Sequence, residues 1–302
     1  MTSVGGSARL LALAVVAGCA QPPTPKVLVI GIDGIRPDVL AEVPTPNLDA
    51  LAAAGAYTAQ AQTGFPTVSG PGWSSFLTGV WPDKHGVVSN DFSPNTYDRY
   101  PDFLTRLEQV DSLFETMAVV DWTPLGAAVD GGPLLSGALD SLVVLDGYEL
   151  GWLEADSISG DLAAAVLSGS DVDAAFVYIG AADELSHGSG AIGEEYRGAI
   201  LAADRIVGRL VAAIRSRPTH DREDWLIIMS SDHGRTAEGG HGGDSPEERT
   251  IPFLVSGSSV SAALPASTDI VDVAVTALVH LGVDPSPEWE LDGSPVGIVA
   301  RH

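Results

Sequence analysis

Three aspartates and three histidines are spaced so that their side chains could meet around a cation: Asp33, Asp183, His187, Asp232, His233 and His241. Imidazole nitrogen mixed with carboxylate oxygen suits Zn2+ or a similar transition metal better than Ca2+ or Mg2+. Six such ligands exceed the needs of one tetrahedral zinc and match two ions, Zn2+ first and Mn2+ as the alternative. Singly, each residue has an ordinary role open to it. Asp33 could cap a helix, Asp183 and His187 could be a helix-surface pair, Asp232-His233 a turn and His241 a loop residue. Their joint occurrence, in a chain with seven histidines in all, favours a ligand set. A hydroxyl completes the chemistry. In PTVSGPGWSSFLTG, Pro71 suits the first turn of a helix closed by Gly79, and Ser69 stands just before it. Such a hydroxyl can be a cap-region residue, or it can face the free N–H groups and positive dipole end that attract anions. Beside a divalent metal it would ionise and act as a nucleophile. Thr67 is a weaker candidate two residues earlier.

These residues need a scaffold that brings them to one place. KVLVIGI, AAFVYI and WLIIM are continuous apolar runs, as buried parallel strands are. Asp33 follows the first, Asp183 and His187 the second, and Asp232 and His233 the third, with His241 shortly after. Ligands gather beyond the carboxyl ends of strands in open parallel sheets. A strand is expected at 251–255, and helices at 194–215 and 268–281. A further helix starts at Pro46 with Thr45 as cap. Strands alternating with helices imply an α/β fold, a three-layer α/β/α sandwich with a mostly parallel central sheet.

The remaining composition sets bounds. The chain has 302 residues, 45% hydrophobic and 18% charged, enough for a packed core. With 15 basic against 40 acidic residues the net charge is -25, which disfavours a nucleic-acid polymer as partner. A small anionic substrate remains compatible if bound metals reverse the local potential. Arg9 precedes an apolar run, 10–17, too short to span a bilayer and of the length of a signal-peptide core. It ends in Val16-Ala17-Gly18-Cys19, and Cys19 is the sole cysteine, so no internal disulfide can form. The division expected is a signal peptide over 1–18, a tether over 19–25 and one domain over 26–302 that carries the candidate metal site. Within that domain the Gly-, Pro- and Asp-rich stretch 91–150 is expected as a small lobe over the site.

VAGC resembles a bacterial lipobox. That resemblance implies export and acylation of Cys19, anchoring the protein in the cell envelope; an ordinary secretory signal is the alternative. The ordered set IDG, Ser-x-Pro with LTG, PDKHG, Asp-x-x-x-His-Gly, SDHG and GGHG resembles the alkaline phosphatase superfamily. Within it, the similarity is closest to type I phosphodiesterases and nucleotide pyrophosphatases. By position the resemblance implies that Asp33, Ser69, Asp232 and His233 hold one metal, and Asp183, His187 and His241 the other. Asn90, in HGVVSN, matches an asparagine that hydrogen-bonds a phosphate oxygen. The implied activity is hydrolysis of a small phosphate ester. Ser69 would attack phosphorus, with Asn90 and the Gly70 N–H donating to the phosphoryl oxygens. His85 is read as structural, orienting its turn.

Three features depart from the family pattern. The nucleophile segment reads Ser-Gly-Pro-Gly-Trp rather than Thr-Phe-Pro-Asn. Seven residues separate His233 from His241, where these phosphodiesterases carry a long insertion. Trp73 stands where sulfatases place Arg. Alternatives are a sulfatase-like or phosphonate hydrolase, a phosphomutase relative and, from another class, a non-catalytic surface lipoprotein.

Overall fold

The computed structural model describes residues 1–2, 22–135, 137–261 and 263–299. The lipobox reading at Val16 to Cys19 falls outside them. Among the described residues seven strands form one sheet: β1 (Thr24–Ile32), β2 (Ala56–Gln62), β3 (Thr116–Val120), β4 (Ser141–Val144), β5 (Ala174–Ile179), β6 (Glu223–Ser230) and β7 (Thr250–Ser256). Their order is β2-β7-β6-β1-β5-β3-β4. All neighbours pair in parallel except β7, which runs antiparallel to both β6 and β2.

Alternation along the central strands divides the core into two layers. Val27, Val29, Phe176 and Ile228 face Trp73 and Phe76 of the helix Ser69–Thr78 and Ala274 and Leu278 of the helix Asp272–His280. Leu28, Ile30, Val177 and Met229 face the helices Pro46–Ala54, Trp152–Gly169 and Glu194–Arg215. Both faces are thus covered, and the α/β/α sandwich expected from the apolar runs is the fold observed.

Several local expectations are corrected. The stretch 91–150 does not stand apart as a lobe. It supplies the helix Phe103–Val110 and two strands, β3 and β4, to the far edge of the sheet. Its apolar runs TMAVV and SLVV are too short to stand out from a Gly- and Asp-rich background. Thr45 occupies the N-cap position but its hydroxyl caps nothing. Asp204, from a distant helix, instead accepts from the Asn47 and Leu48 N–H groups at 3.0 and 2.9 Å. The helix expected over 268–281 is confined to Asp272–His280.

The helix Ala181–Ser189, which follows β5 and carries Asp183 and His187, is also started in trans. Asp156 accepts from the Gly180 and Ala181 N–H groups at 2.8 and 3.1 Å. Asp121 is buried beside Asp156, and burial followed by the Asp156 charge pushes its carboxyl well above the usual range. Burial also raises Asp156, to about 6. Raised carboxyls stabilise the fold when protonated, and that contribution is lost as pH rises from about 4 through the folded values. Stability should therefore decline between pH 5 and pH 8. Asp121→Asn, which supplies an amide donor and removes a charge, should flatten that decline and raise the melting temperature at pH 8 by roughly 2 °C or more. Parallel pH profiles for the two proteins would show that the pair does not titrate in this range.

Candidate active site

β6, β1 and β5 lie side by side in parallel, so their carboxyl ends open onto one place. Asp33 leaves β1, Asp183 sits in the first turn of the helix after β5, and Asp232-His233 follow β6 by two residues. The helix Ser69–Thr78 points its N-terminus at the same spot. Ser69 is its first residue, with Val68 as N-cap and Gly79 closing it in the left-handed conformation at φ 74°. Sequence had placed Ser69 one step outside the helix.

The two hydroxyl candidates separate by their partners. Thr67 Oγ1 donates to the Gly243 carbonyl at 2.7 Å and accepts from the Gly242 N–H at 2.9 Å. It is committed to holding the loop that bears His241. Ser69 Oγ faces His233 Nε2 at 3.3 Å, and Ser69 lines the pocket while Thr67 does not.

Eight sequence-predicted residues converge here. His233 Nε2 lies 3.3 Å from Asp232, 3.6 Å from Asp33 and 3.9 Å from Asp183. His241 Nε2 lies 3.8 Å from Asp183 and 3.2 Å from His187 Nε2, and His187 reaches the other Asp183 oxygen at 3.0 Å. Two ligand-like groups result: Asp33, Asp232 and His233, and Asp183, His233 and His241. His233 is within reach of both, whereas the family resemblance assigns it to one.

Tautomers follow from the second ring nitrogens. His233 Nδ1 donates to the Gly234 carbonyl and His241 Nδ1 to the Thr67 carbonyl, each at 2.9 Å. When neutral, both rings present the Nε2 lone pair to the site, as metal-binding histidines do. The carboxylates are prepared in the same way. Asp33 Oδ2 accepts from Trp73 Nε1 at 2.9 Å and from the Tyr178 hydroxyl at 2.7 Å. Asp232 Oδ1 accepts from the Gly34 N–H at 3.2 Å. The opposite oxygens, Asp33 Oδ1 and Asp232 Oδ2, are buried and accept no hydrogen bond. Leaving such oxygens unpaired is costly in a folded protein.

The electrostatics agree. Burial, then the charges of Asp232 and Asp183, push Asp33 well above the usual carboxylate range. Burial, then Asp183, pushes Asp232 up to about 8. Burial holds His233 well below its ordinary value, so it is neutral. Crowded carboxylates, inward lone pairs and orphaned oxygens together form a donor set that a divalent cation fits.

Two residues that sequence analysis passed over shape this set. Arg235 is fully buried and donates to the Asp183 carboxylate and, at 2.7 Å, to the Asp183 carbonyl. Burial alone would raise Asp183, but the bonds from His187 and Arg235 hold it below the usual range. From sequence Trp73 marks only the absence of a sulfatase arginine, whereas in the structure its indole orients Asp33. Neither role has a local signal, because the partners lie 52 and 40 residues apart.

Asn90 is pinned by the Gly70 N–H, which donates to Oδ1 at 2.7 Å. Gly70 is therefore not the free oxyanion donor that its sequence position suggests, because its N–H is taken by Asn90. It turns the Asn90 amide so that Nδ2 is the donor presented to the pocket. A Cβ at Gly70 would lie 2.3 Å from the Ser89 carbonyl, so only glycine allows this approach. His85 is structural, as read: Nδ1 accepts from the Val87 N–H at 3.1 Å while Nε2 meets Ser75 Oγ at 3.0 Å. Around Ser69 lies a pocket of about 230 Å3, lined also by Trp122, Tyr148 and Glu184.

A doubly covered α/β sheet with a serine at a helix N-terminus, facing Asp and His at adjacent strand ends, defines an enzyme architecture of the alkaline phosphatase superfamily. The chain belongs to the type I phosphodiesterase / nucleotide pyrophosphatase family, whose model matches residues 27–141 and 150–242. It is 25% identical over 247 residues to ectonucleotide pyrophosphatase/phosphodiesterase family member 7 of Homo sapiens, covering 75% of this chain and 51% of that protein. Human family member 5 is 25% identical over 277 residues, covering 86% and 56%. The chain thus spans about half the length of these curated relatives. Among solved structures, murine family member 5 superposes with a TM-score of 0.68 at 14% identity, covering 89% of this chain and 97% of that one. A phosphonate monoester hydrolase from Silicibacter pomeroyi gives 0.67 at 16% identity, covering 89% and 75%. At such identities the two structures speak to the fold alone.

Proposed function

We propose that the protein is a metal-dependent phosphoric ester hydrolase in which Ser69 is the nucleophile. One observation carries this reading. A hydroxyl at a helix N-terminus faces two carboxylate–imidazole clusters whose inward oxygens, Asp33 Oδ1 and Asp232 Oδ2, accept no hydrogen bond. Asp33, Asp232 and His233 would hold one divalent ion and Asp183, His187 and His241 the other, with Zn2+ the first choice and Mn2+ the second. Bound there, the ions would lower the pKa of a neighbouring hydroxyl and offset phosphoryl charge. Ser69 Oγ forms the new bond to phosphorus as the P–O bond to the leaving group breaks. Asn90 Nδ2 donates to a non-bridging oxygen during that displacement. Water then opens the phosphoseryl ester and restores the hydroxyl.

The test is a panel of aryl esters given to the purified protein: a phosphate monoester, a phosphate diester, a phosphonate monoester and a sulfate. Turnover of a phosphorus ester at least tenfold above the sulfate is expected. A preference for the sulfate would favour the sulfatase-like reading instead. We also propose that the protein is lipid-anchored through Cys19, which rests on VAGC and the lack of any other cysteine. Cys19→Ala should move the protein out of the membrane fraction. A wild-type protein already soluble in the periplasm or medium would end that reading. Among the described residues no helix is long and apolar enough to cross a membrane.

A further inference from the structure

The pocket mouth carries residues that the hydrolytic machinery does not use. Trp122, Tyr148 and Glu184 join the catalytic groups in lining it. Tyr148 sits on the short helix Gly147–Leu150, started by Asp146, which accepts from the Tyr148 and Glu149 N–H groups. Its ring stands edge-on against Trp152 at 4.9 Å, which fixes its direction. Its hydroxyl donates to Glu184 Oε1 at 2.6 Å. Glu184 immediately follows Asp183 on a helix that faces the site. A flexible carboxylate is thereby held in one orientation at the pocket edge. The ten residues lining the pocket include no lysine or arginine. Arg235, the nearby buried guanidinium, is spent on Asp183 beneath the floor.

This charge arrangement has a consequence for any substrate. The reacting phosphoryl group would sit at Ser69, among the metal ligands. The remainder of the ester must lie towards the mouth, past Glu184. An anionic remainder, such as a second phosphate or a polyphosphate, would face a fixed negative charge with no lysine or arginine among the described lining residues to offset it. At this half-exposed mouth that repulsion acts over a few ångströms and is partly screened by salt. A neutral or ammonium-bearing remainder meets no such penalty, and a cation can also rest against the aromatic rings of Trp122 and Tyr148.

Building on the hydrolase reading, we infer that Glu184, positioned by Tyr148, is a specificity-determining residue that turns away esters whose distal group is anionic and admits neutral and cationic ones. The substrate class is then a phosphodiester with an uncharged or ammonium-bearing substituent, rather than a nucleoside polyphosphate. Glu184 takes no part in bond breaking.

Three p-nitrophenyl phosphodiesters of near-equal size separate the possibilities: 2-aminoethyl, ethyl and 2-carboxyethyl. With the metal-loaded wild type, kcat/KM for the aminoethyl ester should exceed that for the carboxyethyl ester by about tenfold or more, with the ethyl ester between. Glu184→Gln should bring the two charged esters to within about threefold, and Glu184→Lys should invert their order. Tyr148→Phe, which frees Glu184, should reduce the ratio of the two charged esters in part. The wild-type ratio should also shrink as salt is raised. Equal kcat/KM for all three esters, or a ratio unchanged in Glu184→Gln, overturns the inference and leaves the hydrolase reading standing. Melting temperatures of the variants identify any loss that comes from misfolding, and Glu184→Gln, being isosteric, decides if Glu184→Lys fails to fold. No turnover of the three diesters, with turnover of an aryl phosphate monoester, overturns this inference and leaves the hydrolase reading standing, whereas no turnover of either kind overturns both.

Discussion

Ser69→Ala should fold and retain its metals, yet lose about four orders of magnitude in turnover. A covalent nucleophile splits one hard displacement into two easier ones, and its removal typically costs this much because no neighbouring group replaces it. The rival role is capping, which predicts a loss of about 1 kcal/mol in stability with activity nearly kept. The structure argues against it, because Val68 holds the N-cap position and the Ser69 hydroxyl faces His233. Thr67→Ala is the matched control. It releases the loop at Gly242 and Gly243 that positions His241, so it should weaken metal retention and lower turnover by roughly ten- to a hundredfold, as losses of supporting partners do. Turnover and thermal midpoint on both variants decide the matter. If Thr67→Ala is dead while Ser69→Ala keeps a tenth of wild-type turnover, the nucleophile has been misassigned.

The contrast between those hydroxyls shows what sequence can and cannot convey. β1, β5 and β6 are legible because they are central, and burial on both faces leaves continuous apolar runs. The ligand positions are legible for the same reason: polar residues directly after such runs stand at the open end of the sheet. The helix Glu194–Arg215 has the boundaries expected, because its buried face repeats at helical spacing. β2 escaped notice because AYTAQAQ is an edge strand paired on one side and largely wet. β7 was expected as a strand, but an apolar run carries no direction, and its antiparallel course emerges only in the sheet. The supports for the site were hidden more deeply. Trp73 and Tyr178 reach Asp33 from 40 and 145 residues away, and Asp156 reaches Gly180 across 24. Nothing local distinguishes a tryptophan that orients a carboxylate from one that fills the core. The free Gly70 N–H was a reasonable expectation for a helix start, and the nearby loop overrode it through Asn90.

Removing the bound metal should abolish turnover and destabilise the fold together, for one reason. Asp33, Asp232 and His233 are all buried, and Asp183 nearly so. Without a cation, Asp33 and Asp232 crowd around a neutral imidazole, and Arg235 is committed to Asp183. A divalent ion that binds only the folded protein stabilises it by about 2.7 kcal/mol at a hundredfold excess over its Kd. For a domain of this size that is roughly 5 to 10 °C. Chelation should lower the melting temperature by that amount, and Zn2+ or Mn2+ should restore both stability and turnover. Wild-type protein should carry about two ions per chain by elemental analysis. Asp232→Asn makes the test sharper, because its two effects have opposite signs. Losing a ligand should cost at least one bound ion and turnover by about a thousandfold or more. Losing a buried carboxyl whose charge burial and Asp183 disfavour should make the metal-free variant more stable than metal-free wild type. A purely structural carboxylate predicts the reverse, a variant less stable in every condition with its metal content intact. Protein that binds no transition metal, and whose turnover and melting temperature ignore chelator, would falsify the metal-dependent reading of this site.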